Sequence, residues 1–202
     1  MVATVPTGQS SMLSAIITTL ESERSLVPTL AALIPGAAAG LISEVIVADA
    51  GSSDATAEVA DLAGCKFIAS TAPLGARLSE AAGQARAPWL LFLRAGAVPD
   101  VTWMDETASF IEETQAAGGG MAATFRPVPK RGRPRPVLVE ALALLGRALG
   151  TRARPEHGLL IAKNHYLSLG GHDAQAGAAE TELLRRLGRR RIVMLRAGVS
   201  GG

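Results

Sequence analysis

The segment Glu44-Val-Ile-Val-Ala-Asp-Ala-Gly-Ser-Ser-Asp-Ala-Thr56 constrains this chain more than any other. A short apolar run ends on a carboxylate, Asp49. A turn of small residues, Ala50-Gly51-Ser52-Ser53, follows, and Asp54 opens a helical pattern. A continuous apolar run of this kind reads as a strand buried on both faces, which belongs to a parallel sheet covered by helices. In open α/β sheets, ligands bind beyond the carboxyl ends of the strands. A carboxylate there can accept hydrogen bonds from a base or a ribose. A turn with little side-chain bulk lets a ligand approach the backbone. The segment therefore implies a nucleotide pocket built on a strand–turn–helix unit.

The rest of the chain repeats the rhythm. Met12 to Thr19 reads as a first strand, and Leu26 to Leu33 has helical spacing, with Pro35-Gly36 as its stop. Val45 to Ala48 is the second strand. Asp54 caps a helix that Gly64 ends. Cys65 to Ala69 is a third strand, Gly75 to Ala85 a helix of small residues, and Trp89 to Leu93 a fourth strand suited to the sheet centre. Pro99-Asp100 starts a helix to about Ala117, Gly118-Gly-Gly120 breaks it, and Met121 to Phe125 is a strand. Strands alternating with helices of this length predict right-handed βαβ units and a mostly parallel central sheet flanked by helices. Beyond Phe125 the rhythm changes. Residues 126–136 form a Pro/Arg-rich linker, Val137 to Leu149 an apolar helix, and His157 to Ala162 a strand. Tyr166 to Gly171 is a turn, Ala178 to Leu187 a helix, and Arg191 to Leu195 a closing strand.

The 202 residues suit one domain over 12–202, with a polar N-terminus at 1–11 expected to be flexible. The sequence is 48% hydrophobic but only 3% aromatic, so the core must rest on Leu, Val, Ile and Ala. A net charge of +2 excludes an electrostatic case for nucleic acid. A single cysteine, Cys65, rules out an intramolecular disulfide and fits a reducing, cytoplasmic compartment. It reads as a structural thiol. No run of about 18 uncharged apolar residues is present, and no basic n-region precedes an apolar stretch. The Pro/Arg-rich loop and the apolar run after it leave open a peripheral contact with anionic lipid at an inner membrane surface. The alternative is a solvated linker and a core helix. His157, His165 and His172 match no compact zinc motif.

Three segments, in order, resemble the family 2 glycosyltransferases of GT-A fold. Ser14-Ala-Ile-Ile-Thr-Thr19 with Glu21-Ser-Glu23 is similar to S-V-I-I-P-T-x-N-E. Val47-Ala-Asp-Ala-Gly-Ser-Ser-Asp54 is similar to V-D-D-G-S-T-D. Gly158 to Asp173, continued by Glu180-Thr-Glu-Leu-Leu-Arg-Arg-Leu-Gly188, resembles a strand, F-x-x-I-G-G-F-D and E-D-x-D/E-L-x-x-R-L. The pattern is that of short bacterial members. The likeness implies a nucleotide-binding half at 12–100 and an acceptor-side half at 101–202. It also implies a nucleoside-diphosphate sugar donor of UDP or GDP type, an acceptor that the sequence does not name (a lipid-linked one included), and inverting transfer.

What the resemblance implies for residues is specific. Asp49 would accept a hydrogen bond from the base or ribose; the alternative is a carboxylate that holds its own turn. Thr18, Thr19 and Glu21 would line the base site, with Ala50 and Gly51 in the turn beside it. Glu180 would be the general base, although the preceding acidic position of the family is Ala179. The alternative is an acidic residue that complements the helix dipole. The family expects Mg²⁺ or Mn²⁺ held by a D-x-D or H-A-D motif after the fourth strand. Here Arg94-Ala95-Gly96 stand there, and no metal ligand is assigned. Arg94, with Arg77 as a second candidate, would then bind the diphosphate in place of the metal. The rival reading is a catalytically impaired member that binds nucleotide or a partner. No G-x-G-x-x-G and no G-x-x-x-x-G-K-[ST] is present, which argues against dinucleotide and P-loop folds.

Overall fold

The computed structural model describes residues 12–128 and 153–201. Most of the Pro/Arg-rich stretch, all of the apolar run 137–149 and the 1–11 terminus lie outside the described residues. Eight strands form one sheet: β1 (Leu13–Thr19), β2 (Ile42–Asp49), β3 (Lys66–Ala69), β4 (Trp89–Arg94), β5 (Val98–Pro99), β6 (Ala122–Pro127), β7 (Leu159–Ala162) and β8 (Ile192–Ser200). Their order is β3-β2-β1-β4-β7-β6-β8-β5. The β3-β2-β1-β4 half is parallel throughout. The other half is mixed: β7 runs antiparallel to both neighbours, β6 and β8 are parallel, and β5 pairs antiparallel with β8.

The helices are α1 (Glu23–Ala38), α2 (Thr56–Leu62), α3 (Leu74–Gln84), α4 (Trp103–Ala116), α5 (Lys163–Ser168) and α6 (Ala179–Leu187). Side chains alternate across each strand. Ala15 and Ile17 of β1 and Leu91 and Leu93 of β4 therefore join Leu26, Leu33, Trp103 and Ile111 in one core layer. Ile16, Leu90 and Phe92 face the opposite layer, with Leu78 of α3, Tyr166 of α5 and Leu183 of α6. Burying each of the Leu, Ile and Phe side chains among them stabilises the fold by about 1.5–3 kcal/mol. Two covered faces explain why β1 is buried along almost its whole length and why Trp89–Leu93 of β4 is an unbroken apolar run. No helix of the described residues is long and apolar enough to cross a membrane.

Several element limits differ from the sequence reading. Helix α1 passes through Pro35-Gly36 to Ala38. Gly36 is where Trp103 packs: an added Cβ would lie 2.6 Å from Trp103 Cη2. The stop is Gly40, at φ 75°, with its N–H bonded to Ala37 O and that of Leu41 to Gly36 O, a Schellman end. Pro99 does not start a helix. It sits in the two-residue edge strand β5, where a missing N–H is tolerated. Asp100 then accepts from the N–H of Gly198 at 2.5 Å, which holds the chain to β8. Arg126 and Pro127 continue β6 beside Gly198 and Val199 of β8. Strand β8 runs on to Ser200, beyond Leu195, because β6 and β5 both give it partners. Lys163 to Ser168 is a helix, so the segment read as a turn at Tyr166 to Gly171 starts inside it and turns only at its end.

Candidate active site

The chain moves outward from β1 to β2 and β3, then returns to place β4 on the other side of β1. This reversal makes the carboxyl ends of β1, β2 and β4 a topological switch point, the ligand crevice of open α/β sheets. Register brings the sequence candidates to that edge. Thr18 lies opposite both Ala48 on β2 and Arg94 on β4, and Thr19 lies opposite Asp49. Asp49 and Arg94 are thus about 10 Å apart, two strand spacings.

Asp49 is 1% exposed, and its oxygens are occupied. Oδ1 accepts from Thr19 Oγ1 and Ser52 Oγ, each at 2.6 Å. Oδ2 accepts from the N–H of Gly51 at 2.8 Å and of Ser52 at 2.6 Å. Burial pushes its carboxyl pKa up, but the bonds from Ser52, Thr19 and Gly51 outweigh burial and leave it below the ordinary value. The carboxylate holds the Ala50-Gly51 turn, where Gly51 adopts φ 93°.

The turns after β1 and β2 are laced together. Glu21, at φ 47°, is the only described non-glycine residue in the left-handed region. Its Oε1 accepts from the N–H of Ser53 at 2.7 Å, and its own N–H donates to Ser52 Oγ at 2.9 Å. The N–H of Ser22 donates to Thr56 Oγ1 at 2.8 Å. Asp54 spans two helix starts: Oδ2 accepts from the N–H of Glu23 in α1, and Oδ1 from that of Thr56 in α2, both at 3.0 Å. Strain at Glu21 persists because its neighbours fix it from both sides.

Arg77 is 9% exposed and points inward. Its Nη1 donates to Ala48 O at 2.8 Å and its Nε to Ala72 O at 3.2 Å. It braces the end of β2 near Asp49, and burial lowers its pKa against the pull of that carboxylate.

Arg94 and Glu180 meet. Nη2 of Arg94 pairs with Oε2 of Glu180, and Nε faces Oε1 at 3.4 Å, a two-pronged ion pair. The Glu180 side chain is 15% exposed and that of Arg94 39%. The hydrogen bond to Glu180 raises the Arg94 pKa, opposed by burial and aided by the charges of Glu180 and Glu156. The pair joins the end of β4 to the first turn of α6.

Residues that the sequence reading passed over complete the site. Ser52 gives Asp49 two of its four bonds, and its place in the small-residue turn was the available signal. His172, set aside as a ligand, borders a small gap with Phe92, Leu184 and Glu180. Tyr166 Oη accepts from the N–H of His172 at 3.0 Å and lies 2.9 Å from its Nδ1. Gly75 clasps the segment leading to α6: an added Cβ would lie 2.0 Å from Asp173 O. On the other side of α6 lies a cavity of about 690 Å³, walled by Thr124, Ala178, Thr181, Leu184, Ile192 and Met194. Arg185 and Arg189 also line it.

The residues at the end of β4 do not suit a divalent cation. No cluster of three His, Cys, Asp or Glu side chains able to hold a metal exists among the described residues. A guanidinium occupies the position instead. The carboxylate beside it, Glu180, is already paired with that guanidinium.

The fold is similar to that of known proteins. The family described as Glycosyl transferase family 2 matches residues 14–168. The structure of S. aureus TarS 1-349 superposes with a TM-score of 0.69 at 17% identity, over 94% of this chain and 60% of that one. The same TarS fragment in complex with UDP gives 0.68 at 18% identity, over 94% and 60%. Glucosyl-3-phosphoglycerate synthase from Mycobacterium tuberculosis, in complex with Mn²⁺, UDP and glucosyl-3-phosphoglycerate, gives 0.66 at 18% identity, over 95% and 72%. This chain therefore spans less than two thirds of the TarS fragment. No curated protein matches the sequence. The shared architecture is the GT-A fold, and with the family match over most of its length the chain belongs to glycosyl transferase family 2.

Proposed function

We propose that the protein transfers a sugar from a nucleoside-diphosphate donor, with inversion, and that Glu180 is the base. The observation that carries this reading is the Arg94–Glu180 pair at the switch point. It sets an anion-binding guanidinium and a carboxylate side by side, at the edge where Thr18, Thr19 and the Asp49 turn would take the nucleoside. Asp49 acts through the turn it holds, because its own oxygens are engaged. Ala50, Gly51 and Glu21 shape the same rim, and Arg77 keeps β2 in place beneath it.

The step needs a base, a leaving group held in place and a fixed line of attack. The acceptor hydroxyl gives its proton to Glu180. Its oxygen bonds to the anomeric carbon as the carbon–oxygen bond to the diphosphate breaks. The electron pair leaves with the nucleoside diphosphate. The neighbours that carry UDP in their structures support a UDP-type donor. The mostly apolar cavity lined by α6 also carries Arg185, which pairs with Glu182 of the same lining, and Arg189; it suits an acceptor with an apolar body, as a lipid-linked one has, and Arg189 could meet an anionic group on it.

The test is a thermal-shift titration with UDP and GDP, followed by an assay of donor hydrolysis. One nucleotide should raise the unfolding temperature, and Glu180→Gln should abolish hydrolysis while keeping nucleotide binding. No response to either nucleotide would sink the reading. A second reading, a binding module without turnover, is favoured by the engagement of Glu180 with Arg94. Nucleotide binding with no hydrolysis and no transfer would select it.

A further inference from the structure

The end of β4 presents a guanidinium, and no cluster of three metal-ligating side chains exists among the described residues. That guanidinium is neither fully buried nor fully used. Of its five N–H donors, one on Nε and one on Nη2 face Glu180, and the Nη1 pair has no protein partner among the described residues. Its side chain keeps 39% of its surface open, whereas Glu180 keeps 15%. The two ions are therefore unequal. Arg94 keeps an open side at the carboxyl end of β4, and Glu180 sits in the N-terminal turn of α6.

We propose that Arg94 exchanges partners, releasing Glu180 to take a phosphate group of the nucleotide when it binds. This rests on the nucleotide-donor reading. Guanidinium pairs with phosphate through two parallel hydrogen bonds, as it does with a carboxylate, and a diphosphate carries the larger charge. The exchange leaves neither ion stranded. Until the ligand arrives, Arg94 satisfies a mostly buried carboxylate that would otherwise be expensive to hold unpaired. After it arrives, the freed carboxylate remains beside the positive end of the α6 dipole, next to the gap it shares with His172. Base and donor site are thereby linked: Glu180 is available for a proton only when the diphosphate is in place. Nucleotide binding needs no divalent metal.

The two variants must then act in opposite directions, which a purely structural ion pair would not produce. Calorimetric titration with UDP, uridine and inorganic pyrophosphate, in EDTA and in Mn²⁺, reads this out. Arg94→Gln should weaken UDP and pyrophosphate binding by about 100-fold, the loss of a bidentate charged contact. Glu180→Gln removes the internal competitor and should tighten both by about 10-fold. Uridine binding should change in neither variant. Arg94→Lys, which keeps the charge, should fall between wild type and Arg94→Gln, and circular dichroism should confirm that each variant is folded. Weaker or unchanged UDP binding in Glu180→Gln overturns the exchange, as does wild-type affinity that requires Mn²⁺. Failure of both uridine and UDP to bind the wild type overturns the nucleotide reading itself and the exchange with it.

Discussion

Thr19 Oγ1 donates to Asp49 Oδ1 at 2.6 Å across the ends of two adjacent parallel strands. The contact ties the first candidate binding strand to the turn after the second. Asp49→Asn would keep the shape but lose the charge and two charge-assisted bonds: its amide oxygen can still take the N–H groups of Gly51 and Ser52, while its NH₂ turns the Thr19 and Ser52 hydroxyls from donors into acceptors. A loss of about 3 kcal/mol is expected, measured as a shift in the urea midpoint at constant slope. The pH dependence carries the sign. The folded pKa of Asp49 lies below its ordinary 3.8, so its stabilisation is present above that value and is lost as pH falls through the folded pKa. Wild type and Asp49→Asn should differ at pH 7 and converge as pH falls below the folded pKa of Asp49.

Two glycines of α3 should respond in opposite ways. Gly83 has nothing within 4 Å of an added Cβ, whereas at Gly75 that atom would meet the carbonyl of Asp173 at 2.0 Å. Gly83→Ala should stabilise by about 1 kcal/mol through helix propensity. Gly75→Ala should destabilise by about 1–3 kcal/mol, because a backbone carbonyl cannot step aside as a flexible side chain can. Chemical denaturation of the two variants decides it.

His172 should stay neutral well into acid. Burial, aided by the Arg186 charge and opposed by Glu182, holds its pKa at about 4, down from 6.5. Protons bind the unfolded chain first, so stability is full above pH 6.5 and declines as pH falls toward 4, by about 3 kcal/mol in all. The imidazole resonances of His172 should not titrate between pH 8 and 5. A midpoint above 6 would refute the buried, Tyr166-bonded geometry.

The parallel half of the fold was legible because both faces of its strands are buried, so Ala15–Ile17 and Trp89–Leu93 appear as unbroken apolar runs. Pro35-Gly36 misled because the use of Gly36 is tertiary: it makes room for Trp103, far along the chain. The site was half legible. Thr19 and Asp49 are each read from the end of their own strand, and parallel register alone puts them side by side. The Arg94–Glu180 pair could not be read, because 86 residues separate its members and only the fold brings them together. Equally, Asp49 could be placed at the carboxyl edge from sequence, but not its complete occupation by Thr19, Gly51 and Ser52.

Cys65 should be a slow nucleophile. Burial alone pushes its thiol up to about 11 from 9.0. Only the thiolate reacts, so iodoacetamide should label it about 100-fold more slowly at pH 8 than a free thiol of ordinary pKa. Rapid labelling of the native protein would show that the segment before β3 opens.

Strand β7 pairs with β4 on one side and β6 on the other. The parallel and mixed halves of the sheet are consequently stitched by main-chain hydrogen bonds through the middle of the molecule. Enzymes that close around their substrates swing two bodies about a slender joint, and here a ladder crosses the place where that joint would be. Rearrangement on meeting a ligand must therefore be a matter of rotamers and surface turns, with the sheet itself as a fixed anvil.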